Sequence, residues 1–176
     1  MATVKKQNKS SKLIKLYKEA WDVLDAYDRE TLATKGDTKK PVKLTHKDLD
    51  GALEAFKSFW MEEKNSSGEF AVERNKDGVE AIIGNVMQSL GNKEVYPTVE
   101  EKAANLFYYI VKNHPFIDGN KRSGAYAFVW LLQEAGILDL DRIPPSTLTA
   151  LTLLIAESGS REKEKIIRLI LTLLKK

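Results

Sequence analysis

The chain has 176 residues, of which 43% are hydrophobic and 30% are charged, a composition typical of a folded domain and far from that of a disordered chain. It contains no cysteine and two histidines, which excludes disulfide scaffolds, zinc–thiolate sites, iron–sulfur clusters and thiol nucleophiles. The formal net charge of +3 is too small to indicate a nucleic-acid-binding protein. No apolar stretch reaches the roughly 20 residues of a membrane span and no secretory signal is recognisable, so we expect a cytoplasmic protein.

The first 45 residues are predicted to form a basic N-terminal arm and a helix. Six lysines precede the first acidic residue, Glu19. Such a run is typical of a solvated arm, and contact with a phosphate backbone or an antitoxin is the alternative. Apolar residues then recur at steps of three and four, which predicts an amphipathic helix over residues 11–30. These residues are Leu13, Leu16, Tyr17, Ala20, Trp21, Leu24 and Tyr27.

Further helices are predicted after the polar, proline-ended stretch 34–41. Thr45 and Asp48 have the spacing of a helix N-cap, and apolar positions continue to Trp60. Residues 70–72 and the turn-forming residues after them indicate a short strand and turn. The next helix carries the apolar positions 79–90 and is expected to end at Gly91.

The second half of the chain is also helical in pattern. Thr98 and Glu101 form a predicted capping box, and the helix that follows is expected to end near His114 because Pro115 disfavours helical geometry there. Three more helices are predicted at about 119–136, 145–156 and 166–174. With six or seven helices and one possible hairpin, the sequence predicts an all-α bundle.

One segment between two of these helices concentrates chemically useful side chains. A helix N-terminus offers unpaired backbone N–H groups and a positive dipole end, both of which suit a phosphate. Gly119 lets the backbone approach an anion closely, and two cations follow it. Asp118 provides the oxygen ligand that Mg²⁺ prefers, and His114 can accept a proton near neutral pH. The full segment reads His114-Pro115-Phe116-Ile117-Asp118-Gly119-Asn120-Lys121-Arg122.

Two common nucleotide motifs are absent, and some of these residues have plainer interpretations. Gly119 and Gly124 have the glycine spacing of a P-loop, but Ala125 stands where that motif requires lysine. No Gly-x-Gly-x-x-Gly follows a predicted strand, so a Rossmann site is not supported. Asp118 can simply cap the next helix, and Asn120 can serve as a turn residue.

The nine-residue segment resembles the signature of the Fic/Doc family (filamentation induced by cAMP and death on curing), His-Pro-Phe-x-Asp/Glu-Gly-Asn-Gly/Lys-Arg. The resemblance extends from about Gly68 to Gly136 in the order of the helices. It implies a Fic-fold helical bundle of six to seven helices with a short β-hairpin flap, in which residues 46–176 form the catalytic domain.

The resemblance also implies roles for individual residues. His114 would be the general base that deprotonates a hydroxyl on a target protein, and Asp118 would hold Mg²⁺. The phosphates of ATP would be bound by Gly119, Asn120, Lys121 and Arg122. Phe70, Ala71 and Val72 would form the flap, which aligns the target by strand pairing. Phe116 is interpreted as a buried anchor of the loop.

Two positions differ from the commonest Fic pattern and are similar to Doc-type toxins. Lys121 stands where AMP-transferring members have glycine, and Ala125 stands where they have a second arginine. In Doc-type proteins the lysine is associated with a reversed nucleotide, so that phosphate is transferred. The resemblance therefore favours an ATP- and Mg²⁺-dependent protein kinase acting as the toxin of a toxin–antitoxin pair. AMP transfer to the same hydroxyl, and an inactive Fic fold that only binds a partner, are the alternatives.

The expected partner is a target protein that presents a Ser, Thr or Tyr hydroxyl, a translation factor being one candidate. An antitoxin and a second copy of the chain are further candidates, whereas a membrane or a nucleic acid is not expected. The apolar C-terminal helix is interpreted as core or as a dimer surface. His46 is interpreted as a surface residue, and Trp21, Trp60 and Trp130 as packing residues.

Overall fold

The computed structural model describes residues 12–64 and 68–175, and within them the chain is almost entirely helical. The hairpin strands are β1 (Ser89–Leu90) and β2 (Lys93–Glu94), and Ser160–Glu162 is a 3₁₀ turn. Residues 12–16 are helical. Seven further α-helices lie wholly within the described residues: α1 (Lys18–Asp28), α2 (His46–Lys64), α3 (Gly78–Met87), α4 (Val99–Asn113), α5 (Asn120–Glu134), α6 (Pro145–Glu157) and α7 (Lys163–Leu174). The predicted all-α bundle with a short hairpin is therefore confirmed. The predicted arm over residues 1–11 lies outside the described residues. None of the described helices combines the length and the apolar character needed to cross a bilayer.

Helix α4 is the centre of the bundle, and it packs against α3, α5, α6 and α7. Its closest neighbour is α5, because Gly124 of α5 has no side chain. A Cβ at Gly124 would lie 2.7 Å from Cγ2 of Val111 on α4. The two helices that flank the nine-residue segment are thus held against each other along their length, which fixes the loop between them.

Burial of α4 extends to its polar residues, which the one-sided apolar stripe in the sequence did not indicate. Glu100, Glu101, Lys102 and Asn105 are all buried, and each has a hydrogen-bonding partner, as buried polar groups require. The Glu100 carboxylate accepts hydrogen bonds from the backbone N–H and the hydroxyl of Thr38. Lys102 Nζ lies 3.1 Å from Glu94 Oε1. Glu101 and Asn105 are satisfied within the helix itself.

Local capping signals in the sequence are confirmed at two helix starts. At α4, the Thr98 side chain accepts from the Glu101 N–H while the Glu101 carboxylate accepts from the Thr98 N–H, which completes a capping box. At α2, Thr45 and Asp48 make the same reciprocal bonds. Both helices therefore begin where their caps predicted.

The predictions for residues 70–91 were correct only in part. Helix α3 ends at Met87 and not at Gly91, because Gly91 (φ +63°) occupies the first position of a two-residue hairpin loop that favours glycine. The hairpin therefore lies at Ser89–Glu94. Residues 70–72 do not form a strand of their own. Residues 70–73 pair with the loop before α5 through two single bridges, Phe70 with Asp118 and Glu73 with Phe116.

The two ends of the described chain differ in how they meet the core. The C-terminal stripe of α7 is buried, so its interpretation as core is confirmed. Residues 32–44 also pack on the bundle, with Leu32 and Leu44 buried and the Ala33 N–H donating to Thr172 Oγ1 at 2.8 Å. In contrast, α1 has no buried residue. Trp21 is 48% exposed, so its interpretation as a packing residue was wrong.

Candidate active site

The nine-residue segment lines most of a cleft of about 300 Å³ at the start of α5. His114 is the C-cap of α4 in the left-handed region (φ +50°), an uncommon conformation for a residue other than glycine. Its side chain is exposed, and within the described ranges 12–64 and 68–175 it makes no hydrogen bond. The cleft is lined by Arg74, His114, Ile117, Asp118, Gly119, Asn120, Lys121 and Arg122. The structure thus brings together all five polar or charged residues predicted from the segment.

Asn120 holds the loop in shape. Its side-chain Oδ1 accepts from the backbone N–H of Phe116 at 2.8 Å, and its Nδ2 donates to the carbonyl of the same residue at 2.9 Å. Both Asn120 and Phe116 are buried, which confirms Phe116 as the anchor of the loop. The Asn120 side chain is therefore engaged with the loop, and its backbone N–H is the group it leaves for a ligand at the start of α5.

The N-terminus of α5 is suited to an anion. Its N-cap is Gly119 (φ +84°), which has no side chain to cap the helix. Among the described residues, the backbone N–H groups of Asn120, Lys121 and Arg122 meet no acceptor, and the first occupied one is Ser123 N–H, bonded to the Gly119 carbonyl at 2.8 Å. Unpaired N–H groups and the positive helix end together favour a phosphate. The exposed Lys121 adds charge at the same place.

Gly119 is required for a second reason that the sequence did not indicate. A Cβ at this position would lie 2.3 Å from Cε2 and 2.5 Å from Cδ2 of Phe70, whose ring is fully buried. No real Cβ contact is that short, so any other residue at 119 must displace the ring. Both the positive φ and this contact therefore select glycine.

Asp118 and Arg122 are paired in this structure. Arg122 Nη2 lies 3.2 Å and 3.3 Å from the two carboxylate oxygens, and Asp118 Oδ1 also accepts from the Gly119 N–H at 2.7 Å. Both side chains remain partly exposed, 48% for Asp118 and 35% for Arg122. The pair is thus accessible from the cleft, and solvent weakens it enough for a ligand to compete.

Arg122 also lies against two aromatic rings that stack on each other, Trp60 and Phe70, with centroids 6.1 Å apart. Its guanidinium carbon lies 4.7 Å from the centroid of Trp60 and 4.6 Å from that of Phe70, within the range of cation–π attraction. Phe70 meets Phe56 edge to face, and Phe56 stacks on Tyr126 of α5 at 4.5 Å. These four rings, Phe56, Trp60, Phe70 and Tyr126, are called the aromatic cluster below. Sequence analysis missed the role of Trp60, because its contact with Arg122 joins residues 62 positions apart.

Residues 70–74 form the opposite edge of the loop. The Ala71 N–H donates to the Asp118 carbonyl at 3.0 Å, and the Val72 carbonyl accepts from Ile117 N–H at 2.8 Å. Arg74 Nε donates to the Phe116 carbonyl at 2.8 Å. Phe70 is buried in the aromatic cluster, whereas Ala71 and Val72 are half-buried. The segment predicted as a flap therefore supports the loop directly, and Arg74 is a further residue of the cleft that sequence analysis missed.

His46 connects this segment to the start of α2. Its Nε2 lies 2.6 Å from Glu73 Oε1, and the other carboxylate oxygen of Glu73 accepts from the Val79 N–H of α3 at 3.3 Å. The hydrogen bond to Glu73 raises the pKa of His46 against the opposing effect of burial. His46 thus lies at the surface, with its side chain 37% exposed, but its pairing with Glu73 was not predicted.

The residues present fit Mg²⁺ only together with a phosphate ligand. No group of three or more His, Asp or Glu side chains able to hold a metal occurs in the described part of the chain. Asp118 is the one carboxylate that lines the cleft. Mg²⁺ is commonly held by one or two carboxylates plus substrate phosphates, and the uncapped α5 N-terminus is the place where such phosphates would bind.

Comparison with protein families gives one match. The sequence model of the Fic/DOC family matches residues 42–132, which is just over half of the chain and includes the whole loop and its supporting segment. No significant match was found among the curated proteins or the solved structures.

Proposed function

Because the chain belongs to the Fic/DOC family, whose members are in general transferases that use ATP with Mg²⁺, we propose that it transfers phosphate from ATP to a hydroxyl of a target protein. The observation that carries the proposal is the arrangement of one cleft. An exposed imidazole, a carboxylate, an uncapped helix N-terminus and three cations all line it. We place the reaction in the cytoplasm, where ATP is available.

His114 is proposed as the general base. Its imidazole is exposed in the cleft and makes no hydrogen bond to another described residue, so it is free to accept the proton of a Ser, Thr or Tyr hydroxyl. The left-handed backbone at His114 ends α4, and the clamp between Asn120 and Phe116 fixes the loop that follows. The base is therefore held on a rigid support and not on a mobile loop.

The phosphates are proposed to bind at the start of α5. The unpaired N–H groups of Asn120, Lys121 and Arg122 point to this end of the helix, and the Lys121 and Arg122 side chains supply charge. Mg²⁺ bound at Asp118 would neutralise charge on the phosphate oxygens. Since Asp118 and Arg122 are paired only through partly exposed groups, binding would exchange that pair for contacts of each residue with the ligand.

Two features support phosphate transfer over AMP transfer. Lys121 is exposed in the cleft at the position where AMP-transferring Fic proteins have glycine. Ala125 provides no second cation on the next turn of α5. A cation at 121 and none at 125 favours the Doc-like orientation of the nucleotide. AMP transfer by the same residues is the alternative, and an inactive binding module is a third.

The target is proposed to approach along residues 70–74. The inner edge of this segment is already paired with the loop, so a target strand would add to its outer edge. In this arrangement Phe70, Ala71 and Val72 would align the target through the segment that supports the active loop. We further propose that an antitoxin restrains the activity, as expected for the toxin of a toxin–antitoxin pair.

The test is a labelling comparison. Purified protein, Mg²⁺ and a cytoplasmic lysate are incubated with ATP labelled at the α- or the γ-phosphate, and His114→Ala serves as the inactive variant. We expect γ-label on a target protein with wild type and none with His114→Ala. Label from the α-phosphate would establish AMP transfer and refute the orientation assigned to Lys121. Transfer that survives His114→Ala would refute the assigned base.

Two controls separate loss of chemistry from loss of structure. His114→Ala should retain the wild-type melting temperature, because the exposed imidazole makes no hydrogen bond in the described structure. Both proteins should be stabilised by Mg²⁺ and ATP in thermal unfolding. Absence of that stabilisation in wild type would favour the inactive binding module.

A further inference from the structure

A large apolar surface lies on α1 and on the helical residues 12–16 that precede it. Seven large apolar side chains each expose between 39% and 74% of their surface. They are Leu13, Ile14, Leu16, Tyr17, Trp21, Leu24 and Tyr27. We call them the α1 surface. Most of it faces away from the bundle, because the half-buried Val23 and Ala26 are the residues of α1 turned toward the core. Tyr27, at its end, also contacts α7, with Lys165 Nζ 3.6 Å from its ring centroid.

The α1 surface is larger than a monomer ordinarily leaves in water. At about 200 Å² for each large side chain, the exposed fractions correspond to roughly 770 Å². The largest apolar patch on a typical monomer covers about 300–600 Å² and is often functional. A stable protein–protein interface buries about 800 Å² on each partner. The α1 surface therefore has the area of one half of such an interface.

The spacing of the α1 surface suits a second helix. Leu13, Tyr17, Ala20, Leu24 and Tyr27 follow one another at alternating steps of four and three residues. This is the spacing of a seam that packs against another helix along its length. A globular partner with a single pocket would not need a stripe that runs through four turns.

The charges of residues 12–28 are separated along the chain. Lys12, Lys15 and Lys18 come first, and Glu19, Asp22, Asp25 and Asp28 follow. The last turn of α1 carries acidic residues and no basic one, an order that the helix dipole disfavours. Only Glu19 has a partner elsewhere in the described structure, Arg142 at 3.6 Å. Lys18–Asp22 and Asp25–Arg29 pair within the helix and are largely exposed.

An antiparallel neighbour with the same sequence compensates this unfavourable order. It would place the acidic half of one helix beside the basic half of the other, at both ends, whereas a parallel copy would place like charges side by side. An anionic lipid surface fits less well, because every charged residue from 19 to 28 is acidic. Both area and charge order therefore favour a second copy of this chain.

We propose that the protein forms a two-fold symmetric homodimer in which the α1 helices pack antiparallel through the α1 surface. Ala20, at the middle of the stripe, is the small residue at which the two helices approach each other most closely. This assignment is independent of the reaction proposed for the cleft, since no residue of the α1 surface lines that cleft.

The first test is the oligomeric state of the full chain by sedimentation velocity. We expect a dimer for wild type and an increase of about tenfold or more in the dissociation constant for Leu24→Asp, a charge placed within the stripe. Leu90→Asp is the matched control, because Leu90 is 76% exposed and lies outside the stripe, and it should remain dimeric. A monomeric wild type, or a Leu24→Asp variant that dimerises as well as wild type, would overturn the proposal.

The second test is disulfide cross-linking, for which the chain is well suited because it has no native cysteine. In an antiparallel dimer, Ala20→Cys cross-links to itself, whereas two copies of Leu13→Cys lie about 20 Å apart and do not. A mixture of Leu13→Cys with Leu24→Cys or Tyr27→Cys should cross-link. Efficient cross-linking of Leu13→Cys to itself would refute the antiparallel arrangement. Binding of a monomer to anionic phosphatidylserine vesicles would identify a lipid surface as the occupant and would also refute the dimer.

Discussion

Replacing Gly119 with alanine provides a sharp test of how the active loop is built. Two costs add at this position. The first is the left-handed backbone, φ +84°, which costs an alanine about 1–2 kcal/mol. The second is the contact of the new Cβ with the Phe70 ring at 2.3 Å, which requires movement in a packed core and costs about 1–3 kcal/mol. We expect a total loss of about 2–5 kcal/mol in the free energy of unfolding.

The matched control is Gly91→Ala. Gly91 also has a positive φ, +63°, but a Cβ there would have no neighbour within 4 Å. It should therefore lose only the backbone contribution of about 1–2 kcal/mol. Urea unfolding followed by circular dichroism gives the free energy of unfolding of both variants. In thermal unfolding, each kcal/mol lost should lower Tm by about 2–4 °C in a chain of this size.

A double-mutant cycle identifies the clashing ring. Phe70→Leu removes the ring atoms nearest to the new Cβ, so Gly119→Ala should cost less in the Phe70→Leu background than in wild type. If Gly119→Ala destabilised the protein no more than Gly91→Ala, or if the cycle were additive, the close approach of the loop to Phe70 would be refuted as the reason for glycine at 119.

Three further predictions concern the surroundings of the loop. Trp60→Ala removes one of the two rings that Arg122 lies against. It should weaken Mg²⁺–ATP binding by about 2- to 30-fold in titration calorimetry, the equivalent of a cation–π contact. Phe59→Ala on the exposed face of α2 is the control, and equal affinities for the two variants would contradict the assigned role. Glu73 raises the pKa of His46, so their pairing stabilises the fold fully below the ordinary histidine pKa of about 6.5 and progressively less as the pH rises through the raised pKa. His46→Ala should therefore lose more unfolding free energy at pH 6 than at pH 8.5. A loss that does not vary with pH would refute the charged pair. Thr98→Ala breaks a buried capping box and should lower the free energy of unfolding by about 1–2 kcal/mol, measured by thermal unfolding. Thr149→Ala is the control and should change stability by less than about 0.5 kcal/mol, because the Thr149 hydroxyl only donates back to the Pro145 carbonyl. Similar losses for the two variants would show that the cap contributes little.

Helix positions could be predicted from the sequence because their signals are local. The capping boxes at Thr45 and Thr98, and the helix end imposed by Pro115, depend on residues within one turn of each other. The helix end predicted at Gly91 was wrong because local signals can be ambiguous. A glycine in a hairpin loop and a glycine after a helix give the same local signal. Burial was less predictable, since the polar residues of α4 are buried only because other segments cover them, and Glu100 and Lys102 also find their partners in those segments.

The candidate site could be located from the sequence because its residues are contiguous. His114, Asp118 and the start of α5 lie within nine residues, and the match to the Fic/DOC family over residues 42–132 includes them all. What surrounds them was not predictable in the same way. Trp60, Phe70 and Arg74 reach the loop from elsewhere in the chain, and no local spacing records those contacts.

The helical class, most of the helix boundaries and the chemical groups of the cleft follow from local sequence, because backbone propensity, caps and contiguous motifs act over a few residues. Tertiary packing is what makes Asn120 clamp the loop, places Gly119 against Phe70, sets Arg122 against two stacked rings and leaves the apolar stripe of α1 uncovered. These features depend on which distant segments pack together. An apolar stripe predicts a helix equally well whether the bundle covers it or leaves it for a partner.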